Sequence, residues 1–406
     1  MKKYFILAAA AILTIAACSK NEADTTAYEQ AKVINFNTFT GKAKTKAGPL
    51  NNLVFPHDAG AFGVYAYYLS SGTWAANFAS SKRYMGAADT SEGAAAEDAA
   101  AGVTVEFNNS LYIWNPNPTY YWPLEGKLTF FAYYPLTLAT PKFDLSEKEF
   151  SSGSFTVNST PASQVEVLVS SFTTDKQAND TQYSDVVADP ASGSTSGDNK
   201  GVEIVFNHML SQVVFTAATA SDVITAGMSF KVNSITVGAR KTSTGMTVVP
   251  GSDPEWEEPT SLQPFNVLVE ANTFPNSTEN ASNTPANYLT STQSKQIGDA
   301  LLMIPNNDFL GDDNKDDGEE GNNGDDDEYV TVKYTLYRIS DGLPMGSKTV
   351  KLYLNDNDGT VDKWEAGKKY TYQLTIGLDK IYFAPTVTDW VTENQAVTVP
   401  GNGTTL

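Results

Sequence analysis

With a single cysteine, Cys18, the chain can form no internal disulfide, and no cysteine pair can hold a metal. Only two histidines occur, His57 and His208, and they fall in opposite halves. Neither a Ser-His-Asp arrangement nor a histidine-rich metal centre emerges from them. Arginine is almost as scarce, limited to Arg83, Arg240 and Arg338. Lys and Arg number 27 against 47 Asp and Glu, and the net charge of −20 argues against a nucleic-acid partner, whose phosphates call for basic patches. There is no long amphipathic helical pattern and no glycine-rich phosphate loop, and nothing marks a pair of glycosidase carboxylates. These absences point away from an enzyme, and no cofactor is expected.

What is present is β-forming. Hydrophobic residues make up 41% of the chain, with 20 Tyr, 20 Phe and 6 Trp. Aromatic and β-branched residues at this level favour strands over helices. At 406 residues, two domains are the default expectation.

The first 17 residues read as a signal peptide: Lys2 and Lys3, then an apolar run from Phe5 to Ala17 too short to span a bilayer. Ile15-Ala16-Ala17-Cys18 looks like the lipobox of bacterial lipoproteins, in which the cysteine is acylated, with palmitate for example. Each buried methylene of such a chain contributes about 0.8 kcal/mol, so a multiply acylated Cys18 is a durable membrane anchor. Residues 18–31 follow as a polar tether.

Val33 to Phe39 alternates Ile34, Phe36 and Thr38 against Val33, Asn35 and Asn37, the pattern of a first strand. Gly41 to Pro49 is a small, basic loop open to proteolysis. Further strands are expected at 62–68, 103–107, 111–114 and 128–134, with Met85 to Gly102 read as a surface insertion. A linker at 189–201 separates an N-terminal domain, 32–195, from a C-terminal domain, 196–390. The second opens with Val202 to His208 and runs through 212–216, 229–237, 300–304, 329–337 and 348–354. Tyr370, Tyr372, Leu374 and Ile376 form the clearest strand of all, and Ile381 and Phe383 restart the alternation until Pro385 breaks it. A tail, 391–406, follows Trp390.

The densest charge runs from Asp312 to Glu328, ten acidic residues against Lys315. Calcium binding is one reading, but the sixth position from Asp312, glycine in an EF-hand, is Asp317, and a solvated hairpin insertion is preferred. Asn355 to Gly359 reads as a hairpin turn. His208, followed by Met209 and Leu210, suits packing or a local hydrogen bond. The aromatics Tyr120-Tyr121-Trp122 and Phe130 to Tyr134 can stack on sugars, but strand aromatics are more often core.

Several blocks together resemble the fimbrillin family, subunits of the type V pili of Gram-negative anaerobes. They are the lipobox at Cys18, Phe62 to Tyr68, Tyr121-Trp122-Pro123 with Leu128 to Pro135, Phe206 to Ser211, Leu301 to Pro305, and Trp364 to Trp390. The resemblance implies an all-β chain of two tandem transthyretin-like β-sandwich domains. It further implies an outer-membrane lipoprotein precursor, cut by a protease after its first strand and polymerised into a cell-surface fimbria that serves adhesion. The tail of another subunit would fill the vacated groove, by β-augmentation. Transferred here, the displaced strand carries Ile34 and Phe36, and the donor strand carries Val397 and Val399. The partners are other fimbrial subunits, with host or bacterial surface ligands beyond them.

One departure stands out: the family is cut after arginine, and none lies near the first strand. Lys46-Ala47 is the nearest substitute, and an uncleaved anchor or accessory subunit is an alternative. A second alternative, from another class, is a surface lipoprotein that binds glycans without polymerising.

Overall fold

Strands buried on both faces organise the first half. Phe62–Leu69 and Lys127–Tyr134 are nearly continuous apolar runs and pair antiparallel along seven positions, Gly63↔Tyr133 to Leu69↔Lys127. Phe62, Val64, Phe130 and Ala132 face one core, while Tyr65, Tyr67, Phe131 and Tyr133 face a second. The computed structural model describes residues 32–40, 53–55, 60–86, 101–109, 113–178, 201–269, 288–289, 292–307, 309, 328–354, 361–378 and 381–390.

The chain is all-β; among the described residues the α-helices, Trp74–Asn77 and Ser221–Thr225, are short. The largest sheet has ten strands and closes on itself. From Lys127–Tyr134 the hydrogen bonding passes through Leu168–Ser170, Val202–His208, Phe36–Thr40, Ile113–Asn117, Val103–Asn108 and Phe62–Leu69, then back to Lys127–Tyr134. The first strand is therefore one stave of a closed circuit. Inside lies the core holding Ile34, Phe36, Phe55, Trp114 and Phe206.

In the second half a six-stranded sheet, centred on Met228–Ser243 and Tyr329–Arg338, and a five-stranded sheet, centred on Ser211–Thr219 and Lys368–Ile376, share one core. Phe215, Phe230, Val232, Leu301, Tyr334 and Tyr372 meet there, the alternate positions of half-buried strands. A four-stranded sheet locks the halves together by pairing Glu149–Ser152 with Met246–Val248.

Two features differ from the sequence expectation. Val202–His208, expected to open the second half, lies in the first sheet, parallel to Phe36–Thr40 and antiparallel to Leu168–Ser170. Alternation reveals which side chains turn inward but not which strand lies alongside. Pro385 does not end its strand either: Ile381–Asp389 runs straight through it, with Pro385 opposite Tyr372. Among the described residues this strand pairs on one side only, with Lys368–Ile376, and an outermost strand tolerates a residue without an N–H.

Candidate functional site

Alternation places Ile34 and Phe36 inward, and both are buried. Phe36 meets Phe130 edge-to-face at 5.7 Å between ring centroids and Phe62 at 6.4 Å. On one side five register pairs join the strand to Val202–His208, from Phe36↔Val202 to Thr40↔Phe206. The other side is shared among short segments: Val33 bridges Tyr121, Phe36 pairs with Trp114, and Phe39 and Thr40 pair with Val54 and Leu53. Upstream, the Ile34 N–H donates to Tyr120 O (2.9 Å) and the Trp122 N–H to Lys32 O (2.9 Å). Gly201 lets the backbones close in: a Cβ there would lie 2.7 Å from the Phe36 carbonyl carbon.

The fit is imperfect in its polar groups. The side-chain oxygens Asn35 Oδ1 and Thr38 Oγ1 are buried and find no hydrogen-bond partner among the described residues, and neither does the adjoining Trp122 Nε1. Each such orphan costs about 1–3 kcal/mol. The strand thus fills its core well and satisfies its polar atoms poorly.

A second feature lies at the other end of Val202–His208. His208 is buried, its Nδ1 pairs with Glu166 Oε1, and its ring stacks on Trp390. His208 Nε2 has no partner among the described residues. Trp390, the last described residue before the tail, is fixed further: its N–H donates to Gly367 O (2.9 Å), and the Gly367 N–H donates to Leu210 O (3.0 Å). Gly367 has φ +64°, a conformation only glycine adopts freely. Lys368 Nζ meets Asp389 Oδ1 at 2.6 Å, and this hydrogen bond raises the Lys368 pKa. One strand, Val202–His208, therefore grips the first strand along its length and the root of the tail at its end.

Around the root, burial pushes the Tyr370 phenol up to about 12 and raises Tyr372 further. Tyr370 Oη accepts the Glu365 N–H (2.8 Å), and Tyr372 Oη accepts Trp364 Nε1–H (3.1 Å). A neighbouring polar cleft of about 680 Å³ is bordered by Asp253, Glu255, Asn307, Lys363 and Glu365. Its tryptophans, Trp256 and Trp364, are turned into the core and offer no stacking face.

Most expected site residues outside the first strand lie beyond the described residues: Cys18, Lys46, Ala47, Val397, Val399, His57 and the acidic run up to 327. Glu328, its last member, is described and is not solvated. It is 1% exposed, and its Oε1 accepts from Arg240 Nε at 2.6 Å, while Arg240 Nη1 meets Glu258 Oε1 at 2.5 Å. The run's final acid is thus a core ion-pair member. Among the described residues no three His, Cys, Asp or Glu side chains converge as metal ligands. Arg83 sits over the rings of Tyr65 and Tyr67, and Arg338 pairs with Asp341. Of the aromatics weighed for sugar stacking, Trp122, Phe130, Phe131 and Tyr133 are buried, whereas Tyr121 is 48% exposed. Glu166 was not legible as a partner because it lies 42 residues from His208, and Glu258, 18 residues from Arg240, was not distinguishable from Asp253, Glu255 and Glu257 beside it.

The profile of the fimbrillin-like family matches residues 69–390. The chain belongs to the fimbrillin-like family. Its fold is similar to that of a fimbrial protein from Bacteroides vulgatus, at 16% identity and a TM-score of 0.51, covering 89% of this chain and 100% of that one. It also aligns with the tip fimbrial protein Mfa3 from Porphyromonas gingivalis, at 8% identity and a TM-score of 0.33, covering 88% and 100%. No curated protein matches the sequence. For a fimbrillin-like chain, interaction with other fimbrial subunits at the cell surface is the family's general role, and it frames the geometry of the first strand and the tail root.

Proposed function

We propose that this fimbrillin-like chain is a structural subunit of a surface fimbria, assembled by strand exchange, with a role in adhesion. The precursor reaches the outer membrane through a lipidated Cys18. Proteolysis in the 41–49 loop, at Lys46-Ala47, frees the first strand. Residues 391–406 of another copy, with Val397 and Val399 facing inward, then take its place beside Val202–His208.

The observation that carries this reading is the character of the first strand. It closes the circuit of the large sheet, its second side is shared among three short segments rather than one continuous strand, and it buries two orphaned oxygens, Asn35 Oδ1 and Thr38 Oγ1. A replacement strand with apolar side chains at the inward positions and no such orphans would be favoured by several kcal/mol. Until cleavage, the strand protects a sheet that would otherwise present raw edges.

The glycan-binding alternative gains no support from the aromatics, most of which are core. Mass spectrometry of fimbriae sheared from cells tests the proposal. An N-terminus at Ala47, or elsewhere within 41–49, is expected. An acylated Cys18 in every assembled subunit would instead identify an uncleaved anchor.

A further inference from the structure

A tail that fills a neighbour's groove also brings two particular surfaces face to face. The first strand runs parallel to Val202–His208, with the Val202 N–H donating to Asn35 O (2.7 Å). On its other side the Ile34 N–H donates to Tyr120 O and the Trp122 N–H to Lys32 O, both at 2.9 Å. The bonds of a parallel ladder slant one way, so a replacement strand inherits both sets only by running in the same direction. It then enters at the Tyr120–Trp122 end. With Val397 in the place of Ile34, Gln395 stands where Lys32 stood, facing Trp122. Five steps separate Gln395 from Trp390, at most about 18 Å. Strand exchange thus holds the root of one copy's tail close to Trp122 of the next copy.

At that entry the turn after Trp122 protrudes. Trp122 and Leu128 are buried and anchor it, Gly126 bends it at φ +79°, and Leu124 between them is 94% exposed. Lys32 departs with the first strand. Lys127 and Lys82, which lies across Tyr68 from Leu128, remain here against Glu125. Lys127 Nζ donates to Gly72 O (2.9 Å), a neutral acceptor that leaves its charge uncancelled.

At the root there is a recess. The Trp390 N–H donates to Gly367 O, and the residues flanking Gly367, Ala366 and Lys368, line the cleft of about 680 Å³. Asp253, Glu255 and Glu365 outnumber Lys363 and Lys368 in its lining, and Lys368 is already paired with Asp389. Pro254 and Pro305 add an apolar wall. Copies of a chain with net charge −20 repel one another, so contact forms where local charges are opposite. Here a basic protrusion and an acidic recess lie within one short connector of each other.

We infer that the Pro123–Lys127 corner of each copy seats in the cleft of the copy whose tail it has accepted, with Leu124 against the prolines and Lys127 toward Glu255. This rests on the strand-exchange reading, and the test separates the two. Fimbriae carrying Leu124→Cys and Glu255→Cys together are treated with a short bis-maleimide linker, and each single variant serves as control. In parallel, fimbrial yield is measured for Lys127→Glu, for Glu255→Lys and for the two combined, with the Tm of each monomer recorded.

A covalent ladder from the double-cysteine variant alone is expected. Each single reversal should lower the yield about tenfold at unchanged Tm, and the combined variant should recover to within about threefold of wild type. Where a reversal lowers Tm, the ladder decides alone. No ladder, or losses at unchanged Tm that the combined variant does not recover, overturns the corner contact and, with wild-type fimbriae intact, leaves strand exchange standing. A Glu255→Cys thiol shielded from maleimide in the uncut monomer, and freed by deleting 391–406, assigns the cleft to the chain's own tail and also overturns the contact. Failure of the cut, full-length chain to polymerise removes the strand-exchange reading and the corner contact with it.

Discussion

Trp390 lies flat on His208, ring centroids 3.9 Å apart and planes 17° from parallel. The contact joins the end of the strand that grips the first strand to the point where the tail begins, and Glu166 fixes the imidazole from a third segment. Removing the indole should therefore loosen the joint between the halves. Trp390→Ala is expected to cost about 3 kcal/mol, the usual cost of emptying a buried aromatic site. Urea unfolding measures it, and a change below about 0.5 kcal/mol, the range of an inert surface substitution, would show that the stack holds nothing.

The first strand makes two opposite predictions at neighbouring positions. Phe36→Ala should destabilise the precursor by about 3–5 kcal/mol, since it vacates the space between Phe62 and Phe130. Thr38→Val should stabilise it by about 1 kcal/mol, because the orphaned hydroxyl is replaced by a methyl group of similar shape. Denaturant midpoints check both. A destabilised Thr38→Val would mean that the hydroxyl has a partner after all and that the strand is not held imperfectly.

Arg240→Ala should leave Glu328 buried without its cation, at a cost of about 3–5 kcal/mol. Arg338→Ala, which breaks the exposed pair with Asp341, should cost no more than about 1 kcal/mol. Equal effects in thermal melts would contradict the contrast drawn between the two arginines.

Alkaline pH should unfold the chain through its buried phenols. Burial raises Tyr370 from 10.0 to about 12, so the folded state keeps the phenolic proton longer than the unfolded chain does. Its contribution is fully present below pH 10.0 and is lost as pH rises through about 12. Tyr372 is raised further and extends the loss upward. A Tm that holds steady up to pH 10 and falls beyond it is expected, with a shallower fall in Tyr370→Phe. A Tm unchanged up to pH 12 would contradict the burial of these side chains.

Much of the fold was legible where strands alternate. Ile34, Phe36, Tyr370, Tyr372, Leu374 and Ile376 all turn inward as their spacing requires, because period two is a local property of the strand. In Phe62–Leu69 alternation separates two cores rather than core from solvent: Phe62 and Val64 face one, Tyr65 and Tyr67 the other. Partnership was not legible. The closure of the large sheet, the place of Val202–His208 in it, the Glu166–His208 pair and the Arg240–Glu328 pair all depend on contacts between residues far apart in sequence. Glu328 shows the limit plainly: composition assigned it to a solvated acidic run, and one distant arginine draws it into the core.

The central claim, that removing the first strand makes the chain accept the tail of another copy, is tested by controlled cleavage. A site for a sequence-specific protease is placed in the 41–49 loop of the chain beginning at Ser19, with and without residues 391–406, and assembly is followed by sedimentation. Polymers are predicted for the cut, full-length chain only. Polymers from the uncut chain, or from the cut chain lacking 391–406, would contradict the account.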